Sequence, residues 1–200
     1  MNKPIPFALP RRNFLMSTPA LILGSSLKAY AQTQTKTSQT FPNLPEELSP
    51  PEQAKVEKSV LAKDLKNYFG EGYSCAESML MVGLRYLKRP EDLFWIAGGF
   101  GRGMYHRDVC GIVTGGIMTL GLAAGQPKRE RKEAQEWIKQ RVQSYWAWWM
   151  SQAPLHCTEI RKEGTKFETC LRLGLLAAAK IEELISSDNA SALPRGQSNP

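Results

Sequence analysis

Histidine and paired cysteine motifs are scarce in this chain. It has two histidines and four cysteines, Cys75, Cys110, Cys157 and Cys170. No two of them form a Cys-x-x-Cys pair, so a thioredoxin-type motif and a zinc ribbon are excluded. Cys-x-x-Cys-His is missing too, which excludes covalently attached c-type haem. Four cysteines are also too few for a small disulfide-built scaffold. There is no convincing run of alternating β-branched residues and no internal repeat. No Ser/His/Asp set or carboxylate pair stands at motif spacing, so hydrolytic chemistry has no support. The run Gly99-x-Gly101-x-Gly103 has the wrong spacing for a nucleotide fingerprint, and no strand precedes it.

What is present fits one soluble domain with additions: 200 residues, 42% hydrophobic and 22% charged. The net charge of +7 suggests an acidic partner until it is located. Lys3, Arg11, Arg12 and Lys28 give +4 to residues 1–31, which hold no acid; 22 basic and 19 acidic residues remain elsewhere. Lys128, Arg129, Arg131 and Lys132 alternate with Glu130, Glu133 and Glu136, the pattern of a solvated helix and not of a nucleic-acid stripe. Arg11-Arg12-Asn13-Phe14-Leu15 precedes a weakly apolar stretch, 14–27, interrupted by Pro19, Gly24, Ser25 and Ser26. That stretch falls short of the ~20 residues of a membrane-crossing helix. It ends at Ala29-Tyr30-Ala31, a small-x-small cleavage pattern. Residues 1–31 therefore resemble a twin-arginine signal peptide, although Pro10 and Met16 depart from its usual pattern. A Sec signal with a chance arginine pair and a permanent anchor are the alternatives. A twin-arginine signal implies a periplasmic protein, with no transmembrane segment in the mature chain, exported already folded and often around a cofactor.

Residues 32–48 are rich in Gln, Thr, Ser and Pro and read as a flexible linker. Residues 186–200 read as a disordered tail. The folded domain is expected at 49–185 as an all-α bundle of about six helices. Ser49 caps the first, which carries Val56, Val60, Leu61, Leu65, Tyr68 and Phe69 and stops at Gly70. Ser74-Cys75-Ala76-Glu77 is a capping box for the second. A short third helix starts at Pro90, and a glycine-rich loop, 98–103, follows it. Asp108 is placed to cap the fourth, over 109 to about 122. The fifth starts near Pro127 and carries Trp146 and Trp149 on its core face, leaving Trp148 to point elsewhere. Thr165-Lys166-Phe167-Glu168 opens the sixth.

On this map Cys75 and Cys110 lie at helix starts, Cys157 follows His156 in a loop, and Cys170 lies within two turns of a helix start. Helix N-termini favour anions, which predicts lowered thiol pKa values and a shared electropositive point. Gly111 and Gly115 share one helix face, where either a packed helix or a cofactor approaches closely.

Gly72-Tyr73-Ser74-Cys75-Ala76, the glycine run 98–103 followed by Met104, Cys110-Gly111-Ile112-Val113-Thr114-Gly115, and then Cys157 and Cys170 resemble the C_GCAxxG_C_C family of redox-active proteins. The resemblance spans about 65–184; Ile112 stands where the family name has Ala. It implies a redox or electron-transfer role beside an exported oxidoreductase or other electron-transfer partner. The similar domain of split-Soret cytochromes is associated with an iron–sulfur cluster, but their haem-binding segment has no counterpart here. Three readings follow. In the first, Cys75, Cys110, Cys157 and Cys170 ligate an iron–sulfur cluster, with Gly101, Gly103 and Gly111 admitting backbone N–H groups to it. In the second, the cysteines cycle between dithiol and disulfide, with Cys157–Cys170 and Cys75–Cys110 as the natural pairs. In the third, the protein is a non-catalytic accessory subunit with structural disulfides. His156 reads as a loop histidine with no role, ahead of a role as supporting ligand.

Overall fold

The expected all-α architecture is present in the computed structural model, which describes residues 41, 43–125 and 129–191. The expected signal peptide, residues 32–40 and 42 of the linker, and residues 192–200 of the tail lie outside the described residues.

The single helix expected between Ser49 and Gly70 is two: α1 (Pro50–Lys58) and α2 (Val60–Leu65). The break lies at Ser59, whose backbone is extended at φ −87°, ψ 126°. A serine competes with the helical backbone for hydrogen bonds and is better placed at a cap. Ser59 Oγ accepts from the Ala62 N–H at 3.0 Å and donates to Glu182 at 2.5 Å. The same Glu182 oxygen takes the Leu61 N–H at 3.0 Å. The break also resets the helical face. Val56, Leu61 and Leu65 are buried, but Val60, expected inside, is 54% exposed.

α3 (Cys75–Tyr86) begins at the predicted capping box, with Ser74 and Glu77 bonded reciprocally. A 3-10 segment (Glu91–Phe100) takes the place of the short third helix and absorbs Gly98 and Gly99. A π turn (Gly103–Arg107) follows, and then α4 (Gly111–Ala124). α4 has no charged residue and is apolar on nearly every side, so it lies centrally, against α3, α5 (Arg131–Gln152) and α7 (Phe167–Ser191). α7 runs past Ile185, where the domain was expected to end. Among the described residues no helix is long and apolar enough to cross a membrane.

α5 docks through Tyr145 and Trp149, both fully buried and one helical turn apart. Tyr145 donates its hydroxyl to the Ile112 carbonyl at 3.2 Å, and Trp149 donates its indole N–H to that of Pro154 at 3.1 Å. The expected orientation of the aromatic segment is corrected. Trp148 stacks on Tyr145 and is half-buried, whereas Trp146 is 39% exposed. The core stripe follows the i, i+3, i+4 spacing from Tyr145, and Trp146 falls outside it.

α3 and α4 touch almost backbone to backbone. A Cβ on Gly115 would lie 2.5 Å from the Ala76 carbonyl oxygen and 2.8 Å from Met79 Cβ. Neither can yield unless α3 moves. Gly115→Ala is therefore expected to lower stability by about 1–3 kcal/mol, the usual cost of overpacking, read as a fall in the urea midpoint of the reduced protein. An unchanged midpoint would show that the two helices do not meet this closely.

Candidate functional site

Four local structures deliver the four cysteines to one place. Cys75 is the first residue of α3. Cys110 is itself the N-cap of α4, with φ −57° and ψ 130°; Asp108, expected to cap this helix, does not. Cys157 opens the short α6 (Cys157–Ile160) in what was expected to be a loop. Cys170 is the fourth residue of α7, which starts at Phe167.

Cys110 and Cys157 are held by a backbone clasp. The Cys110 N–H donates to the Leu155 carbonyl at 2.9 Å, and the Cys157 N–H donates to the Asp108 carbonyl at 2.7 Å. Between these bonds Val109 pairs with His156 in an isolated antiparallel bridge. Asp108 is thus engaged through its backbone oxygen. The His156 ring is exposed and lies between Glu159, 3.0 Å away, and Asp108, 3.3 Å away. It does not line the cavity, so of its two sequence readings the structure favours a histidine outside the ligand set.

All four cysteines line one cavity of about 500 Å³. Tyr73, Glu77, Arg102, Tyr105, Ile112, Ile160, Arg161 and Phe167 complete most of its wall. Sequence spacing did not single these out. Tyr73 and Ile112 fall within the motifs, Glu77 within the capping box and Arg102 within the glycine run, and Arg161 follows Cys157 by one helical turn, but none of these positions carries a signal of its own for the site. Among the described residues the four cysteines are free thiols. No group of three or more His, Cys, Asp or Glu among them is placed to hold a metal ion.

The three candidate glycines lie behind the wall and are not among its lining residues. Each stands at a close approach. A Cβ on Gly111 would lie 2.5 Å from Cys75 Sγ and 2.9 Å from the Phe100 carbonyl oxygen. One on Gly101 would meet Ser74 Cβ at 2.5 Å, and one on Gly103 would meet the Asp108 backbone at 2.6 Å. Gly103 also needs a left-handed backbone, at φ +67°. For Gly111 and Gly115 the approaching group is the start of α3.

The expected lowering of thiol pKa is not found at three of the cysteines. Burial pushes the Cys110 thiol well above its ordinary value, and the neighbouring Cys75 adds to this; the Ile112 backbone N–H favours the thiolate but is outweighed. Burial also raises Cys157, against opposing pulls from Arg161 and Arg107. Burial raises Cys170 to about 11, with Arg161 again opposing. Cys110 and Cys170 lie near helix starts as expected, and Cys157 does so unexpectedly, but at all three loss of water is the larger effect.

The sign of the resulting pH dependence follows from linkage. An unfolded thiol titrates at about 8.5, so above that pH the unfolded chain loses its proton before folded Cys170 does. The raised folded value contributes stability that is complete below the unfolded pKa and is lost as pH rises toward about 11. For the reduced, metal-free protein the urea midpoint is expected to be flat from about pH 6 to 8 and to fall from about pH 8.5 upward. Alkylation of Cys110 and Cys170 should stay slow through neutral pH. Fast labelling of either at neutral pH would contradict this assignment.

A protein-family model described as "Putative redox-active protein (C_GCAxxG_C_C)" matches residues 73–184, a span that contains all four cysteines. No curated protein and no solved structure matches the chain.

Proposed function

Because the chain belongs to the C_GCAxxG_C_C family of redox-active proteins, we propose that it is an exported electron-transfer protein whose four cysteines hold an iron–sulfur cluster. The observation that carries this reading is the shared cavity: residues 75, 110, 157 and 170, far apart in the chain, line one space. Cys75, Cys110, Cys157 and Cys170 would be the ligands, and the bound cluster would supply one-electron exchange. The donor type fits, since thiolates are the usual cluster ligands, although among the described residues no three such groups are spaced to hold a single ion. The cavity of about 500 Å³ gives room for more than a single ion.

The protein's own part is to exclude water, present donors and lower the cost of negative charge. Burial of Cys110 and Cys157 keeps solvent from their sulfurs. Arg161 and Arg102 on the cavity wall oppose the charge that four thiolates would bring. Gly111, pressed against Cys75 Sγ, is the candidate glycine best placed to let backbone near the ligands. The raised values at Cys110 and Cys170 weigh against either of them as the attacking thiolate of a dithiol cycle. A metal changes that balance by displacing the proton on binding.

For the electron-transfer partner, an exported oxidoreductase, the supporting feature is a run of aromatic contacts leading from the cavity wall to the surface. Tyr73 lies 5.3 Å from Phe94, and Phe94 lies 4.5 Å from Trp95, centroid to centroid. Trp95 and its neighbour Ile96 are 71% and 61% exposed. Large exposed apolar side chains beside a redox site suit a docking face. Export to the periplasm rests on Arg11-Arg12 and the weakly apolar stretch after them.

The test is purification of the full chain without oxygen, followed by visible spectroscopy and assays of iron and acid-labile sulfide. Broad visible absorbance that bleaches on reduction, with stoichiometric iron and sulfide, is expected. Each Cys→Ser replacement at 75, 110, 157 or 170 should lower the iron content. A colourless, iron-free protein overturns the cluster reading. Mass spectrometry of alkylated cysteines, before and after reductant, then separates cycling dithiols from the structural disulfides of an accessory subunit.

A further inference from the structure

A second cavity, of about 320 Å³, adjoins the thiol cavity and shares Cys157, Arg102 and Arg161 with it. It is lined by Arg102, Arg107, Cys157, Arg161, Lys162 and Thr165, and no carboxylate is among them. Four cations of one sign around so small a space repel one another.

Elsewhere some of the described basic residues have acidic partners. Arg85 pairs with Asp64 and Glu91, Arg172 with Glu52, Lys166 with Glu46, and Lys180 with Glu183. None of Arg102, Arg107, Arg161 and Lys162 has a carboxylate partner among the described residues. Arg107 donates instead to the backbone oxygen of Arg161, which ties the two sides of the cavity together.

The chain holds two of these cations in place at the cost of backbone strain. Arg102, Met104, Tyr105 and Arg107 all have positive φ, between 53° and 58°. In each of these non-glycine residues the Cβ crowds the backbone. Strain of this kind clusters at ligand clamps, where surrounding structure over-determines the backbone.

We propose that this cavity binds a small oxyanion and seats it beside Cys157. Guanidinium forks match the geometry of oxygen-rich anions. The volume suits a small dissolved molecule. The proposal stands on the cations and the cavity alone, and it holds whether the neighbouring cysteines bind a cluster or cycle as thiols. A ligand seated there places a negatively charged redox substrate, or a regulator of the site, against a cysteine of that site.

The test is calorimetric titration of the full chain with sulfate in chloride-free buffer at low ionic strength. Saturable binding of one sulfate is expected. Arg161→Gln combined with Lys162→Gln should weaken it by about tenfold or more, the worth of one or two charge-assisted hydrogen bonds. Lys66→Gln combined with Lys132→Gln removes the same charge elsewhere and should leave it nearly unchanged. Sulfate should also slow phenylglyoxal modification of Arg102, Arg107 and Arg161 in the unmutated protein, a readout that needs no variant to fold. Absence of sulfate binding, equal weakening by both double variants, or absence of protection would overturn the proposal. Binding of a hexaglutamate peptide without binding of sulfate would also overturn it, and would assign the cations to an acidic protein surface.

Discussion

Cys75 Sγ occupies the space that a side chain on Gly111 would need, 2.5 Å from where its Cβ would lie. The rest of the site depends on that contact. It fixes the start of α3 against the start of α4, and so places Cys75 beside Cys110, the residue before Gly111. The clasp between 108–110 and 155–157 then sets Cys157 beside Cys110 through two backbone hydrogen bonds of 2.7 and 2.9 Å. α7 packs against α4 and brings Cys170 in from the fourth side. Three of these placements rest on backbone geometry and so leave little freedom to the sulfurs they carry. Gly111 and Gly115, four residues apart, serve one purpose: they let two helix backbones close to a distance that any side chain would prevent.

The same closeness sets the electrostatics. Helix starts favour negative charge near them by roughly 0.3–1 kcal/mol at exposed positions. Loss of water disfavours a charged sulfur by much more when burial is deep. At Cys110, Cys157 and Cys170 burial prevails, and the helix-start amides and nearby arginines only moderate it. Thiols whose pKa is raised are weaker nucleophiles at neutral pH. A positive charge entering among them would favour their charged form. Convergence and raised pKa are thus two results of one packing arrangement.

Much of this was legible in the sequence, where local chemistry decides local structure. The Ser74/Glu77 capping box, the all-α class and the nearness of Cys75, Cys110 and Cys170 to helix starts follow from side-chain and spacing rules, whereas the helix start at Cys157 does not. The misses share one cause, which is that tertiary partners decided the outcome. Ser59 breaks a helix because Glu182, over a hundred residues away, is there to take its hydroxyl. Asp108 gives up an N-cap role because its carbonyl is needed by Cys157. Trp146 and Trp148 exchange places because the stripe is set by Tyr145 and Trp149 docking on α4. No spacing rule carries those partners. Nor could spacing show that Arg102, Arg107 and Arg161 meet, since the segments holding them are joined only by the fold.

The strained segment from Arg102 to Arg107 brings these strands of argument together. Its positive-φ residues gain little burial in return: Arg102, Tyr105 and Arg107 are exposed. Gly103 anchors the segment, because a Cβ there would lie only 2.6 Å from the Asp108 backbone. Asp108 is in turn part of the clasp that carries Cys110 and Cys157. The strain is therefore imposed from the same backbone that fixes the thiols. A relaxed loop would satisfy local preference better, but it would release Arg102 and Tyr105 from the cavity wall. Strain that yields no packing and is coupled directly to the cysteines is best understood as the means of holding cations at the mouth of the thiol cavity. On that reasoning the apolar sulfur-lined wall and the cationic wall form a single site, one side excluding water and the other drawing in negative charge.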